Sequence, residues 1–134
     1  MTNGIIEPEK IKEALTILLK ENNLFEVRIL KGKTTISGYF TSSDVLIEEF
    51  NKVDLRGANV FYTLHRIDES CYSREQHDCF RQVKTTTSDN DIVAYQWLLI
   101  DLDPVRKSGI SSTDAELRMA YERGEQITTH LRDI

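Results

Sequence analysis

Two aspartates stand one residue apart at the end of the apolar run Tyr95–Asp103 (YQWLLIDLD), and Pro104 follows them. If this run is a strand, alternate side chains share a face, so Asp101 and Asp103 project to one side with Cα atoms roughly 6.6 Å apart. Leu98, Ile100 and Leu102 then turn to the other side, into a core. Adjacent carboxylates repel each other and resist desolvation unless a proton or a cation compensates. Hard oxygen donors of this kind suit Mg²⁺ or Mn²⁺, which keep several waters and take phosphate oxygens as further ligands. Two-metal phosphoryl transfer needs such a pair, because a divalent ion acidifies the attacking hydroxyl and neutralises charge on the phosphate. By itself, D-x-D is a short pattern that solvated acidic residues beside a turn also produce.

Other residues near this pair in the sequence can act on phosphate. Arg106 and Lys107 follow the aspartates directly and can meet a triphosphate or a template phosphate as fixed positive charges; a solvated loop explains them equally. Lys84, followed by Thr85, Thr86 and Thr87, can touch a nucleic-acid backbone, and a polar connection explains it equally well. His65, Cys71, His77 and Cys79 offer nitrogen and sulfur ligands, but their spacing H-x₅-C-x₅-H-x-C departs from the paired ligands of structural zinc sites. A strand-end histidine in a polar excursion accounts for them better. The two cysteines read as reduced thiols. Trp97 and Tyr95 alternate onto the aspartate side with Leu99 and read as core or cleft wall rather than as base-stacking platforms.

The elements that must position these residues are legible from periodicity. Pro8 opens a helix over residues 8 to 21, with Ile11, Ala14, Leu15, Leu18 and Leu19 as its apolar stripe. After Asn22-Asn23 the run Phe25 to Leu30 reads as a strand, Lys31-Gly32-Lys33 as a hairpin turn and Thr34 to Phe40 as the returning strand. Ser42 or Ser43 can cap a short helix over about 43 to 52, and Asn59 to His65 (NVFYTLH) reads as a further strand. Residues 66 to 90 read as a polar surface excursion with one helical turn or two. After the Tyr95–Asp103 strand and the loop VRKSGISS, Ser112 or Thr113 begins a helix to about residue 132. Thr113 and Glu116 stand at capping-box spacing, with Leu117, Ala120, Tyr121, Gly124, Ile127 and Leu131 along one side.

The order α-β-β-α-β, then strand and helix, predicts a mixed α+β protein. The expected organisation is a single partial domain over 1–134: an N-terminal αβ unit over 1–66, a polar connection over 67–94, and a third part over 95–134. At 134 residues, 40% hydrophobic and 29% charged, with only two prolines, the chain should fold rather than stay disordered. No run spans a bilayer and the start lacks a signal sequence, which predicts a cytoplasmic protein with no membrane partner. The net charge of −5 argues against bulk electrostatic binding of nucleic acid. The acidic surplus is partly local: residues 85 to 103 hold Asp89, Asp91, Asp101 and Asp103 and no Lys or Arg, which suits a site that recruits cations.

The stretch WLLIDLDPVRKSGISSTDAE, Trp97 to Glu116, resembles the first motif of the archaeo-eukaryotic primase superfamily. It closely resembles the version in DNA primase-polymerases of phages, plasmids and integrated elements, where a proline, a basic loop and a Gly-Ile-Ser-Ser-Thr-Asp segment follow the strand. KTTTSDNDI and NVFYTLH look similar too, so the resemblance covers roughly residues 57 to 125. It implies an N-terminal αβ unit beside an RRM-like catalytic unit that begins at residue 95. It also implies Asp101 and Asp103 as metal-binding catalytic residues, Mg²⁺ or Mn²⁺ as cofactor, and nucleotidyl transfer on a single-stranded DNA template from nucleoside triphosphates. A helicase domain or partner is a further expectation for such a protein.

The family's later Ser-x-His motif and third acidic ligand have no match in this sequence. His130, in THLRDI, lies in the last predicted helix without the small neighbours of that motif. The isolated chain is therefore expected to be incomplete as a polymerase. The alternative expectation is a non-catalytic nucleic-acid- or partner-binding module of a replication or mobile-element protein. An RRM-like RNA binder fits less well, because the central strands lack its aromatic, glycine-rich pattern.

Overall fold

In the computed structural model, which describes residues 6–134, the chain is α+β, with three helices and a four-stranded antiparallel sheet. The absence of a signal sequence was read partly on the first five residues, which lie outside the described ones. By its contacts the chain divides into a unit ending at Trp97 and a unit from Leu98 to Ile134.

In the first unit, α1 (Pro8–Leu19) begins with Pro8 in its first turn, where the missing N–H costs nothing. Of the predicted stripe, Leu15 and Leu19 are buried and Ile11 packs against the same cluster. β1 (Phe25–Lys31) and β2 (Thr34–Phe40) pair along their full length, from Phe25 opposite Phe40 to Lys31 opposite Thr34. The two-residue turn has Gly32 first, at φ 60°, the pattern of a type II′ hairpin turn.

α2 (Ser43–Phe50) follows, burying Leu46 and Phe50. Ser42 occupies its cap position but, against expectation, makes no side-chain capping bond. The strand expected over Asn59–His65 is shorter: β3 (Asn59–Tyr62) pairs with β1 as the edge of a sheet ordered β3-β1-β2-β5, where β5 is Arg81–Gln82.

Alternation along β1 and β2 builds two different faces. Phe25, Val27, Ile29 and Phe40 point toward α1 and α2, forming the main core with Leu15, Leu19, Leu46 and Phe50. Each such side chain contributes about 2 kcal/mol by leaving water. Phe80 closes this core, its ring centroid 5.1 Å from that of Phe40 and 5.3 Å from that of Phe50. The opposite face carries Glu26, Ser37 and Tyr39, and all three are buried.

The segment expected as a surface excursion is what buries them. Residues 66–94 hold β4 (Arg66–Ile67), a 3₁₀ turn at Glu69–Ser73, β5, a second 3₁₀ turn at Asp89–Asp91, and β6 (Ile92–Ala94), which pairs with β4. Ile67 and Cys71 form a second core with Leu24 and Tyr39, and Gln76 is buried as well. Of the segment's own residues only Ile67, Cys71 and Gln76 are buried; the others are exposed or half-buried, so its polar composition fits its outer side while these three reach the sheet.

The second unit departs most from the sequence reading. β6 ends at Ala94, and residues 95–107 belong to no strand. A run of apolar, β-favouring residues becomes a strand only where a neighbour accepts its ladder bonds, and among the described residues none pairs with Tyr95–Asp103. Leu98, Ile100 and Leu102 are correspondingly exposed rather than core, Leu98 at 75%. Ile100 and Leu102 instead border a groove on α3 (Asp114–Arg132), beside Leu117, Ala120, Tyr121 and Gly124. The predicted capping box is present, with Thr113 Oγ1 accepting from the Glu116 amide at 3.2 Å and Glu116 Oε2 accepting from the Thr113 amide at 2.8 Å. No residue of α3 is buried. Among the described residues no helix is long and apolar enough to cross a membrane.

Candidate metal and nucleotide site

Asp101 and Asp103 lie on the unpaired segment between Trp97 and the loop before α3, and both are exposed. Among the described residues neither carboxylate has an ion-pair partner, and no group of three metal-ligating side chains comes together. Asp103 borders a pocket with Glu116 and Arg123 of α3, and also an open pocket with Arg106, Lys107, Ser108, Gly109 and Ser111. The loop has a defined shape: Gly109 takes φ 81°, which disfavours a side chain, and Arg106 Nη1 donates to the Ile110 carbonyl at 3.1 Å. Thus Asp103, Arg106 and Lys107 are brought together in one unit. Asp101 lies outside the groove that Ile100 and Leu102 border on α3, whereas Asp103 shares its α3 pocket with Leu102, so the alternation expected of a strand is not kept.

Lys84 is placed elsewhere, in the first unit, bordering a polar pocket with Arg74, Gln76, Gln82 and Thr85. The residues weighed as zinc ligands have separate partners. Cys71 is buried in the second core, His77 Nδ1 lies 2.9 Å from the Arg74 carbonyl, and Cys79 Sγ reaches the Glu75 carbonyl at 3.8 Å. His130 is exposed in the last turn of α3.

Two constellations in the first unit were not foreseen. The first is a buried polar network. Glu26, 1% exposed, accepts from Ser37 Oγ at 2.6 Å, Arg28 Nη2 at 2.9 Å and the Thr87 amide at 3.0 Å. Burial pushes this carboxyl up, but the hydrogen bonds from Arg28, Ser37 and Thr87 outweigh it and hold the group below its ordinary value of 4.5. Arg74 extends the network, donating to Tyr39 Oη at 2.5 Å and pairing with Asp91 at 3.0 Å. The alternation in FEVRILK signals a polar strand face, but nothing local in the sequence says that the face is covered.

The second is the fastening of Tyr95–Trp97. Trp97 Nε1 donates at 2.6 Å to the Leu18 carbonyl, one of the last-turn carbonyls of α1 that lack helical partners. The Lys20 ammonium sits 4.2 Å from the centre of the indole ring. Asn22 Nδ2 donates to Gln96 Oε1, the Gln96 amide donates to His65 Nδ1 at 3.2 Å, and Tyr95 meets the His65 ring edge-on. Trp97 is therefore bound through its N–H to α1, not held open as a stacking surface.

No family model matches the chain, and no curated protein and no solved structure matches it either.

Proposed function

We propose that this chain carries the acidic half of a metal-dependent nucleotidyltransferase site of the DNA primase-polymerase kind, acting on nucleoside triphosphates and a single-stranded DNA template. The observation that supports this reading is the pair Asp101 and Asp103, exposed and without a neutralising partner among the described residues, beside a pocket edged by Arg106 and Lys107. Two accessible carboxylates one residue apart fit a hard divalent cation, Mg²⁺ or Mn²⁺, by donor type. They supply only part of a coordination shell, so water and substrate oxygens would complete it. When bound, the ion supplies acidification of a sugar hydroxyl and neutralisation of the α-phosphate.

The roles of the chain's own residues follow from their chemistry. Asp101 and Asp103 hold the cation. Arg106 and Lys107 bind phosphate oxygens of the incoming nucleotide, Arg106 with its guanidinium already oriented by the Ile110 carbonyl. The reaction forms a bond between the sugar oxygen and the α-phosphorus, breaks the bond to the β-phosphate oxygen and releases pyrophosphate, the hydroxyl proton passing to solvent.

Titration of a deoxynucleoside triphosphate into the ¹⁵N-labelled chain tests this. Amide shifts over residues 103–111 that require Mg²⁺, and that vanish in the Asp101→Asn/Asp103→Asn variant, are expected. Shifts absent from that loop, or unchanged by the double substitution, would favour a partner-binding module whose aspartates have no metal role.

A further inference from the structure

We propose that β3 is a self-association edge: two copies of this chain join by antiparallel pairing of β3 with β3, about a two-fold axis at Phe61, into one continuous sheet. β3 ends the four-stranded sheet and is paired on one side only, with β1. The Thr63 amide donates to the Glu26 carbonyl at 3.0 Å, so by the alternation of an antiparallel ladder Phe61 also turns its backbone N–H and C=O toward β1. Val60 and Tyr62 then turn theirs outward, where among the described residues they meet no partner. Sheet edges are ordinarily protected from further pairing by lysine, proline, a bulge or a covering loop. Asn59–Leu64 (NVFYTL) holds no charge and no proline, and Val60, Phe61, Tyr62 and Leu64 are all exposed, Phe61 at 53%.

The strand is complementary to itself in one register. A two-fold axis normal to the sheet keeps each face on its own side, so residues of one face oppose residues of the same face. Val60 and Tyr62 lie on the helix side, opposite Ile29 and Val27 of β1, and Phe61 lies on the other side opposite Arg28. Centring the axis on Phe61 sets each Val60 against the Tyr62 of the second copy, and Phe61 against its own counterpart. The outward N–H and C=O groups then form four ladder hydrogen bonds across the junction. The side-chain pairs are β-branched with aromatic and aromatic with aromatic, kinds that stabilise antiparallel sheets. On the helix side Val60 and Tyr62 also edge an open apolar groove of about 390 Å³, backed by Val27, Leu46 and Phe50, which the second copy's edge overlies. Charges beside the edge are already paired, Lys10 with Glu7 and Arg28 with Glu26. Four exposed apolar side chains per copy place the contact among small interfaces, below about 1,200 Å² in total. Each copy also carries a net charge of −5, so the dimer depends on concentration and tightens as salt screens the repulsion. The inference does not rest on a metal role for Asp101 and Asp103.

Sedimentation of the 134-residue chain over a concentration series, with amide hydrogen exchange measured on the same samples, tests this. The apparent mass should rise from one chain toward two, and protection of the Val60 and Tyr62 amides should rise with it. Val60→Pro removes an outward N–H and no bond to β1, and Phe61→Lys sets two like charges on the axis. Each should weaken self-association by roughly tenfold or more. Tyr121→Lys, on the exposed α3, should leave it intact, and ¹⁵N spectra report that each variant is folded. A chain that stays monomeric at every concentration, a dimer that survives both edge variants or is lost in Tyr121→Lys, or protection that rises elsewhere but not at Val60 and Tyr62 would overturn the proposal.

Discussion

The hydroxyl of Ser37 on β2 donates to the carboxylate of Glu26 on β1 at 2.6 Å, in the interior of the first unit. The two are diagonal neighbours, since Glu26 stands opposite Tyr39 and Ser37 opposite Arg28. Through its other oxygen Glu26 holds the Thr87 amide, 61 residues along the chain. One carboxylate thus joins the sheet to the segment that roofs it. Replacing Glu26 with alanine leaves buried donors on Ser37 and Thr87 without acceptors and Arg28 without its pair. The expected loss is about 3 kcal/mol, read from urea unfolding.

The same carboxyl makes the fold acid-sensitive. Its folded-state pKa is lowered below the ordinary 4.5, so its stabilising contribution is complete above that value and is lost as pH falls through it toward the lower folded value. Unfolding free energy measured from pH 6 down to pH 3 should decline. In Glu26→Gln the part of the decline due to this group should be absent, and the variant should be less stable at pH 6.

Two glycines separate steric from conformational cost. A Cβ at Gly38 would lie 2.6 and 2.7 Å from the Phe40 ring and 2.8 Å from the Cys79 carbonyl oxygen, inside a packed core. Gly38→Ala should cost about 2 kcal/mol by overpacking. Gly32 has open space around it but φ 60°, so Gly32→Ala should cost about 1 kcal/mol from backbone strain alone. Thermal melts of the two variants should keep that order.

Asp101→Asn/Asp103→Asn should leave stability within about 0.5 kcal/mol of the parent, because both side chains are exposed and unpaired among the described residues. Equal urea midpoints for the two proteins would show that any change in metal response is local to the site.

The first unit was largely readable because its signals are local. Pro8 with a 3- and 4-residue stripe and the Gly32 turn between two alternating runs each fix structure within a few residues, as the Thr113-Glu116 cap does in the second unit. The segment 66–94 was not readable in the same way. Its docking on the sheet depends on Glu26 and Tyr39, more than 25 residues away, and polar partners do not announce themselves in hydropathy. Tyr95–Asp103 failed for a complementary reason: its residues favour a strand, but ladder bonds require a neighbour, and Leu99 stands 90% exposed instead. At the candidate site, the closeness of Asp103 to Arg106 and Lys107 follows from adjacency in sequence. The fastening at His65 and Trp97 joins residues 30 or more positions apart, and no spacing rule reveals it.

The most direct measurement is a Mn²⁺ titration of the ¹⁵N-labelled chain, following paramagnetic broadening of backbone amides, with Asp101→Asn/Asp103→Asn as control. Broadening centred on residues 100–104 that disappears in the double variant is the predicted result. Broadening without a centre there, or broadening that survives the double substitution, would contradict a metal site at Asp101 and Asp103.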